Sequence, residues 1–150
     1  MTLLSPELLA HIGDTAPQRY EIATRRDIRK YAVCTAQTMR KYLDGDVAPP
    51  LFYIHLFWEV VELDQLSTDG IYRDPLIPKL PLERVMAGGL EIEYFRPICA
   101  GDELVATRTL TNLYEKEGRS GQLIFYDVVM DVRTASDEPV LRERATRLLR

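Results

Sequence analysis

LEIEYFRPICAGDELVATRTLT, residues 90–111, decides the fold. Its first half alternates Leu90, Ile92 and Tyr94 with Glu91 and Glu93, the period of two that lays one face of a strand on a core and the other in water. Pro97 removes a donor from the ladder, Ala100-Gly101-Asp102 supplies a turn, and Leu104 opens a second β-rich run. Two long strands are expected here, with the other segments packed against them.

Toward the C-terminus the pattern continues. The run from Leu104 to Tyr114 is expected to end in a polar hairpin loop, Glu115-Lys116-Glu117-Gly118-Arg119-Ser120-Gly121. Leu123 to Arg133, rich in Ile, Phe, Tyr and Val, reads as a third strand, and Ala135 to Pro139 turns it into a fourth, Val140 to Leu149. Arg142, Arg144, Arg147 and Arg150 read as the solvated face of that last strand, with a basic edge beside a nucleotide phosphate as the alternative.

Toward the N-terminus the character changes. Residues 64–83, with Asp69-Gly70 and prolines 75, 78 and 81, form the longest irregular segment, of the kind that either serves a function or covers a sheet edge. Before it lies LFYIHLFWEVV, residues 51–61, apolar on nearly every side. It is expected to be a buried helix enclosed by the sheet, its first turn preset by Pro49-Pro50, with a fully buried strand as the competing assignment. Thr24 with Asp27 three residues on predicts a capped helix from there to about Tyr42, preceded by a short strand from Arg19 to Ala23. Ser5-Pro6-Glu7 predicts a first helix, with Leu8, Leu9 and Ile12 inward and Gly13 as its stop. Helices followed by long antiparallel strands make an α+β domain with the helices on one face of the sheet.

At 150 residues and 46% hydrophobic the chain suffices for one domain with a real core. A formal net charge of −4 argues against broad attraction to nucleic acid or to an anionic membrane. Cys34 and Cys99 stand far apart in no ligand pattern, so neither a disulfide framework nor a metal site is expected, and no cofactor is called for. The N-terminal residues lack the basic and apolar regions of a secretory signal, and residues 51–61 are too few to span a bilayer, so a cytoplasmic protein is expected.

Several blocks occur in a telling order: Ala48-Pro49-Pro50 before the apolar segment, Pro81 to Gly89, Phe95-Arg96-Pro97 with Gly101-Asp102, and Lys116 to Gly121. This order, over roughly residues 12–150, resembles the N-terminal domain of MaoC-like dehydratases. It is most similar to the N-terminal half of mesaconyl-CoA and methylfumaryl-CoA hydratases and of related hydroxyacyl-thioester dehydratases. The resemblance implies a hotdog fold, an antiparallel sheet wrapped around one long helix, working as a dimer or a fused pair. It also implies substrates that are enoyl or hydroxyacyl thioesters of coenzyme A or acyl carrier protein.

Active subdomains of that family carry an aspartate and, five positions later, a histidine, with an amide at the start of the central helix holding the thioester carbonyl. That chemistry needs a base, an acid and a donor for the developing oxyanion. Laid on the family's motif, this chain has Gln37 at the aspartate position and Tyr42 at the histidine position. A glutamine amide accepts no proton near neutral pH, and an ordinary tyrosine, with a pKa of about 10, is a poor shuttle. Pro49 and Pro50 also lack amide hydrogens. The resemblance therefore implies a degenerate, non-catalytic subunit of an enoyl-CoA hydratase or 3-hydroxyacyl-thioester dehydratase, pairing with a catalytic MaoC-like subunit or with a second copy of itself.

Gln37, Tyr42, Pro50, Arg84, Gly88 and Gly89 are its candidate substrate-binding residues. The Gly88-Gly89 pair reads equally as a close approach to a ligand or as a bend before a strand. Arg84 and Arg96 read as phosphate contacts or as ion pairs with Glu83, Glu91 or Glu93. His55 reads as a hydrogen-bonded core residue, His11 as surface, and Asp44-Gly45-Asp46 as a turn. The alternatives are a self-sufficient thioesterase or hydratase whose carboxylate comes from Asp69, Asp74 or Glu59, and an acyl-thioester binding module without chemistry.

Overall fold

A computed structural model describes residues 2–67, 70–119 and 121–150. Four helices, α1 (Pro6–Leu9), α2 (Arg25–Cys34), α3 (Arg40–Leu43) and α4 (Phe52–Phe57), accompany five strands, β1 (Arg19–Ile22), β2 (Val85–Tyr94), β3 (Glu103–Gly118), β4 (Gly121–Thr134) and β5 (Pro139–Leu149). The strands form one antiparallel sheet in the order β1-β3-β4-β5-β2. Sheet and helices make the α+β hotdog architecture expected above.

The core forms where α4 lies on the sheet. Phe52, Tyr53, Leu56 and Phe57 are buried against Leu104 and Ala106 of β3, Met130 and Val132 of β4, and Val140 and Leu141 of β5, with Ile28 of α2 closing the side. Burial of side chains this large contributes roughly 1.5–3 kcal/mol each. Among the described residues no helix is long and apolar enough to cross a membrane.

The helices are shorter than expected, for identifiable reasons. Thr24 caps α2, its hydroxyl accepting from the Asp27 amide at 3.1 Å. The helix then stops at Cys34 rather than near Tyr42. Ala36 takes a left-handed conformation (φ 52°) while the Gln37 amide donates to Ala32 and the Ala36 amide to Val33, a Schellman closure with alanine in glycine's usual place. The apolar segment 51–61 stays helical only to Phe57, where Trp58 turns extended. Here the Arg19 guanidinium donates to the Phe57 carbonyl at 2.9 Å and lies 2.8 Å from the Glu59 carboxylate, drawing the chain out of the helix. The segment is therefore not buried all round: Trp58 is 66% and Val60 94% exposed, and His55 is exposed rather than in the core. In the first helix Ser5 caps as expected, accepting from the Leu8 amide, but Leu9 and Ile12 remain largely exposed.

The strands are longer than expected. β2 begins at Val85, five residues before Leu90, and it is an edge strand, so Ile92 packs on the core while Leu90 and Tyr94 stay partly exposed. Lys116 and Glu117 belong to the β3–β4 ladder opposite Leu123 and Gln122 rather than to the expected loop. Ser120 of the expected loop lies outside the described residues.

Candidate functional site

The Schellman closure that ends α2 fixes the backbone of Gln37, whose side chain amide donates to the Thr35 hydroxyl at 3.3 Å. Five residues further, α3 presents Tyr42, half-buried, with the Lys41 ammonium 4.9 Å from its ring centroid. The Asp44-Gly45-Asp46 turn follows, as the sequence indicates. Gly45 sits at φ 78°, and a Cβ there would come within 2.7 Å of the Arg25 carbonyl, so only glycine fits. Arg25 ties the turn down through the Asp44 carbonyl at 3.0 Å and the Asp46 carboxylate at 2.5 Å.

Beyond the turn, Pro49 and Pro50 lead into α4 and form one wall of a cavity of about 310 Å³. Lys41, Tyr42, Tyr94 and Arg96 contribute its polar groups. The Tyr94 phenol donates to the Pro50 carbonyl at 2.9 Å. Arg96 donates to Asp102 at 2.8 Å and lies 3.2 Å from Glu138, not beside the glutamates of β2. Burial pushes the Asp102 carboxyl up, but the Arg96 guanidinium and the Cys99 amide outweigh it and hold the group below its ordinary value. Among the described residues no carboxylate or imidazole lines this cavity. Its phenols and cations suit an electron-rich oxygen.

Tyr42 and Pro50 therefore come together, whereas Gln37 does not line the cavity. Gly88 and Gly89 lie within β2 at a bulge opposite β5, and a Cβ on Gly88 would stand 3.1 Å from the Thr146 methyl, so its close approach is to the neighbouring strand. Arg84 is exposed, with its backbone paired to that of Arg150.

Sequence reasoning passed over Glu143. It shares the inner face of β5 with Leu141, and the fully buried Tyr53 donates its phenol proton to it. The signal was available: period two from Leu141 puts Glu143 inward, between the outward Arg142 and Arg144. Burial raises the phenols of Tyr53 and Tyr94, and the Glu143 charge raises both further, so they remain donors at neutral pH.

A second, larger cavity of about 730 Å³ lies at the other end of α4. Glu59 and Asp74, the carboxylates nominated for a rebuilt site, both line it, and each is held by an arginine: Glu59 by Arg19 at 2.8 Å and Asp74 by Arg108. Asp69 lies outside the described residues. His11, read as surface, stands at this cavity with its Nδ1 2.7 Å from Asp14.

Residues 10–143 match the family model for the FAS1-like dehydratase domain region. The mesaconyl-C(4)-CoA hydratase of Chloroflexus aurantiacus is 30% identical over 125 residues, 83% of this chain. The chain spans 44% of that hydratase's length. Among solved structures, the C-terminally truncated HadBC (3R-hydroxyacyl-ACP dehydratase) complex from Mycobacterium tuberculosis superposes with a TM-score of 0.62 at 17% identity, over 91% of this chain and 96% of that one. A MaoC-like dehydratase from Rhodospirillum rubrum gives 0.57 at 17% identity, over 92% and 91%. With the family model covering β1 to β4, the first part of β5, α4 and both cavities, the chain belongs to the FAS1-like dehydratase region family, as a MaoC-like hotdog dehydratase domain.

Proposed function

We propose that residues 1–150 form one hotdog domain that acts as a non-catalytic subunit of an enoyl-thioester hydratase or hydroxyacyl-thioester dehydratase. It pairs with a catalytic MaoC-like subunit and helps hold a thioester of coenzyme A or acyl carrier protein. One observation carries the reading. By resemblance to the family's motif Gln37 and Tyr42 fall at its aspartate and histidine positions, and no described carboxylate or imidazole lines the cavity beside Tyr42. The groups that do line it, two phenols and two cations, favour holding an oxygen over moving a proton.

The edge of the sheet supports pairing. Among the described residues no strand pairs with the outer side of β2, and Met86, Leu90, Tyr94 and Phe95 are 44–48% exposed along it and just beyond. An open edge with apolar side chains is a template for a further strand. The solved HadBC dehydratase of the same fold is itself a complex.

A hydration assay with crotonyl-CoA and a mesaconyl-type thioester tests the reading, using this protein alone, a candidate MaoC-like partner alone, and the two mixed. Turnover that appears or rises sharply only in the mixture is expected. Turnover by this chain alone would favour the self-sufficient enzyme, for which Glu59 and Asp74 on the larger cavity are the carboxylates to replace. Binding of thioesters with no turnover beside any partner would leave a binding module.

A further inference from the structure

We propose that the open side of β2 takes an edge strand from a different polypeptide, one that brings a lysine or arginine to Glu143. The inference rests on the pairing reading above and names the kind of partner. Glu143 lies one strand in from that edge, on the inner face of β5 and opposite Ile92 of β2. Leu90 and Tyr94, on either side of Ile92 and on the same face, are 48% and 44% exposed, so this face of β2 is uncovered on both sides of it. A strand added to β2 would run two strand spacings, roughly 10 Å, from β5. A glutamate and a long basic side chain laid toward each other across β2 span that gap together.

Charge calls for the partner. Glu143 is half-buried, and the Tyr53 phenol donates to it. Among the described residues no Lys, Arg or His forms an ion pair with it. Its neighbours Arg142 and Arg144 belong to the other face of the strand, where Arg142 holds Asp131 at 2.7 Å. Burial first and the Glu143 charge second raise the phenols of Tyr53 and Tyr94, so both remain neutral donors beside it. A half-buried carboxylate without a cation is costly, and an ammonium or guanidinium arriving from a paired chain offsets that cost through a charge-assisted hydrogen bond.

The strand itself selects against a second copy as the source of that cation. β2 reads VMAGGLEIEY, with no lysine or arginine and with Glu91 and Glu93 exposed. Two copies joined along β2 would bring Glu91 and Glu93 of both to one seam, and like charges across a ladder are destabilising. Arg144 and Arg142 stand opposite these glutamates in β5, but Arg142 is already bound to Asp131. Just beyond the strand, Arg96 is committed to Asp102 at 2.8 Å and Glu138 at 3.2 Å. Leu90, Tyr94 and Phe95 give any incoming strand an apolar contact, and the carboxylates decide that it is a basic one.

Isothermal titration of the full chain with a candidate catalytic MaoC-like protein whose edge strand carries lysine or arginine, at low and high salt, tests the proposal beside sedimentation of the chain alone. Pairing that salt weakens is expected, with self-association at least about tenfold weaker. Glu143→Gln keeps an oxygen for the Tyr53 phenol and removes the charge. It should fold, as read by circular dichroism and thermal melting, and lose at least about tenfold in affinity for the partner. Glu91→Gln combined with Glu93→Gln, at exposed positions, should flatten the salt dependence, and it keeps the test decisive where the half-buried variant fails to fold. Pairing unchanged in the folded variants, pairing indifferent to salt, or self-association as tight as pairing with the partner would overturn this inference and leave the pairing reading standing. Absence of any pairing, with the partner or with itself, would overturn both.

Discussion

The two ends of α4 open on cavities built by opposite means. At the N-terminal end, two prolines without amide hydrogens, Lys41, Arg96 and two phenols surround about 310 Å³. At the C-terminal end the helix stops early, and about 730 Å³ opens between core side chains and a proline-rich segment, its charges already paired. The family's motif points to the smaller cavity, and the irregular segment of this chain shapes the larger one. A helix of six residues can serve both because its buried side chains, Phe52 and Tyr53 near one end and Leu56 and Phe57 near the other, hold it to the sheet throughout.

The largest expected effect comes from breaking that shared wall. Phe52 is fully buried, its ring 5.6 Å from that of Tyr31 in an edge-on contact. Phe52→Ala should lower the free energy of unfolding by about 3–5 kcal/mol, the range for removing a buried aromatic ring, as read by urea denaturation. Loss of under 1 kcal/mol would mean that α4 is not the common support of the two cavities.

A smaller effect separates the ends. Asp102 holds Arg96 at the N-terminal cavity, and its carboxyl lies below the ordinary 3.8 in the folded protein. A carboxyl depressed on folding stabilises fully above its unfolded pKa, and that contribution is lost as the pH falls through the folded one. Wild-type stability should therefore decline as the pH drops below about 4. Asp102→Asn should be less stable at pH 7 and lose less on acidification, in thermal melts across pH 7 to 3. Parallel pH profiles for the two proteins would show that Asp102 makes no such contribution.

The sheet was legible and the ends of the helices were not. Alternation and β-branched residues identify β3, β4 and β5 because those signals are local and each strand has one face on the core. The extension of the hairpin through Lys116 and Glu117 escaped a reading that equates polar with loop, since a ladder continues wherever backbone partners align. α2 ends through an alanine in the conformation usually given to glycine, which composition does not advertise. α4 ends through Arg19, 38 residues away in sequence, a tertiary contact that periodicity cannot carry. In the site, Tyr42 and Pro50 were found through a motif, whereas Glu143 was hidden among arginines although its position in the alternation put it inside.

The smallest expected effect sharpens the comparison most. Pro50 is exposed, and its contribution to the fold is a carbonyl that accepts from Tyr94, which alanine supplies equally well. Pro50→Ala should lower stability by at most about 1 kcal/mol, through the freer unfolded chain, while returning one amide hydrogen to the entrance of α4. On the proposed reading the chain alone has no turnover; if the missing donor were the reason, that single change would bring hydration of crotonyl-CoA by the chain alone. On that reading, with Gln37 and Tyr42 at the acid–base positions, no such turnover is expected, because an oxyanion donor without a proton acceptor stabilises charge that never forms. Turnover in the variant would place the decisive difference at the helix entrance rather than at Gln37 and Tyr42.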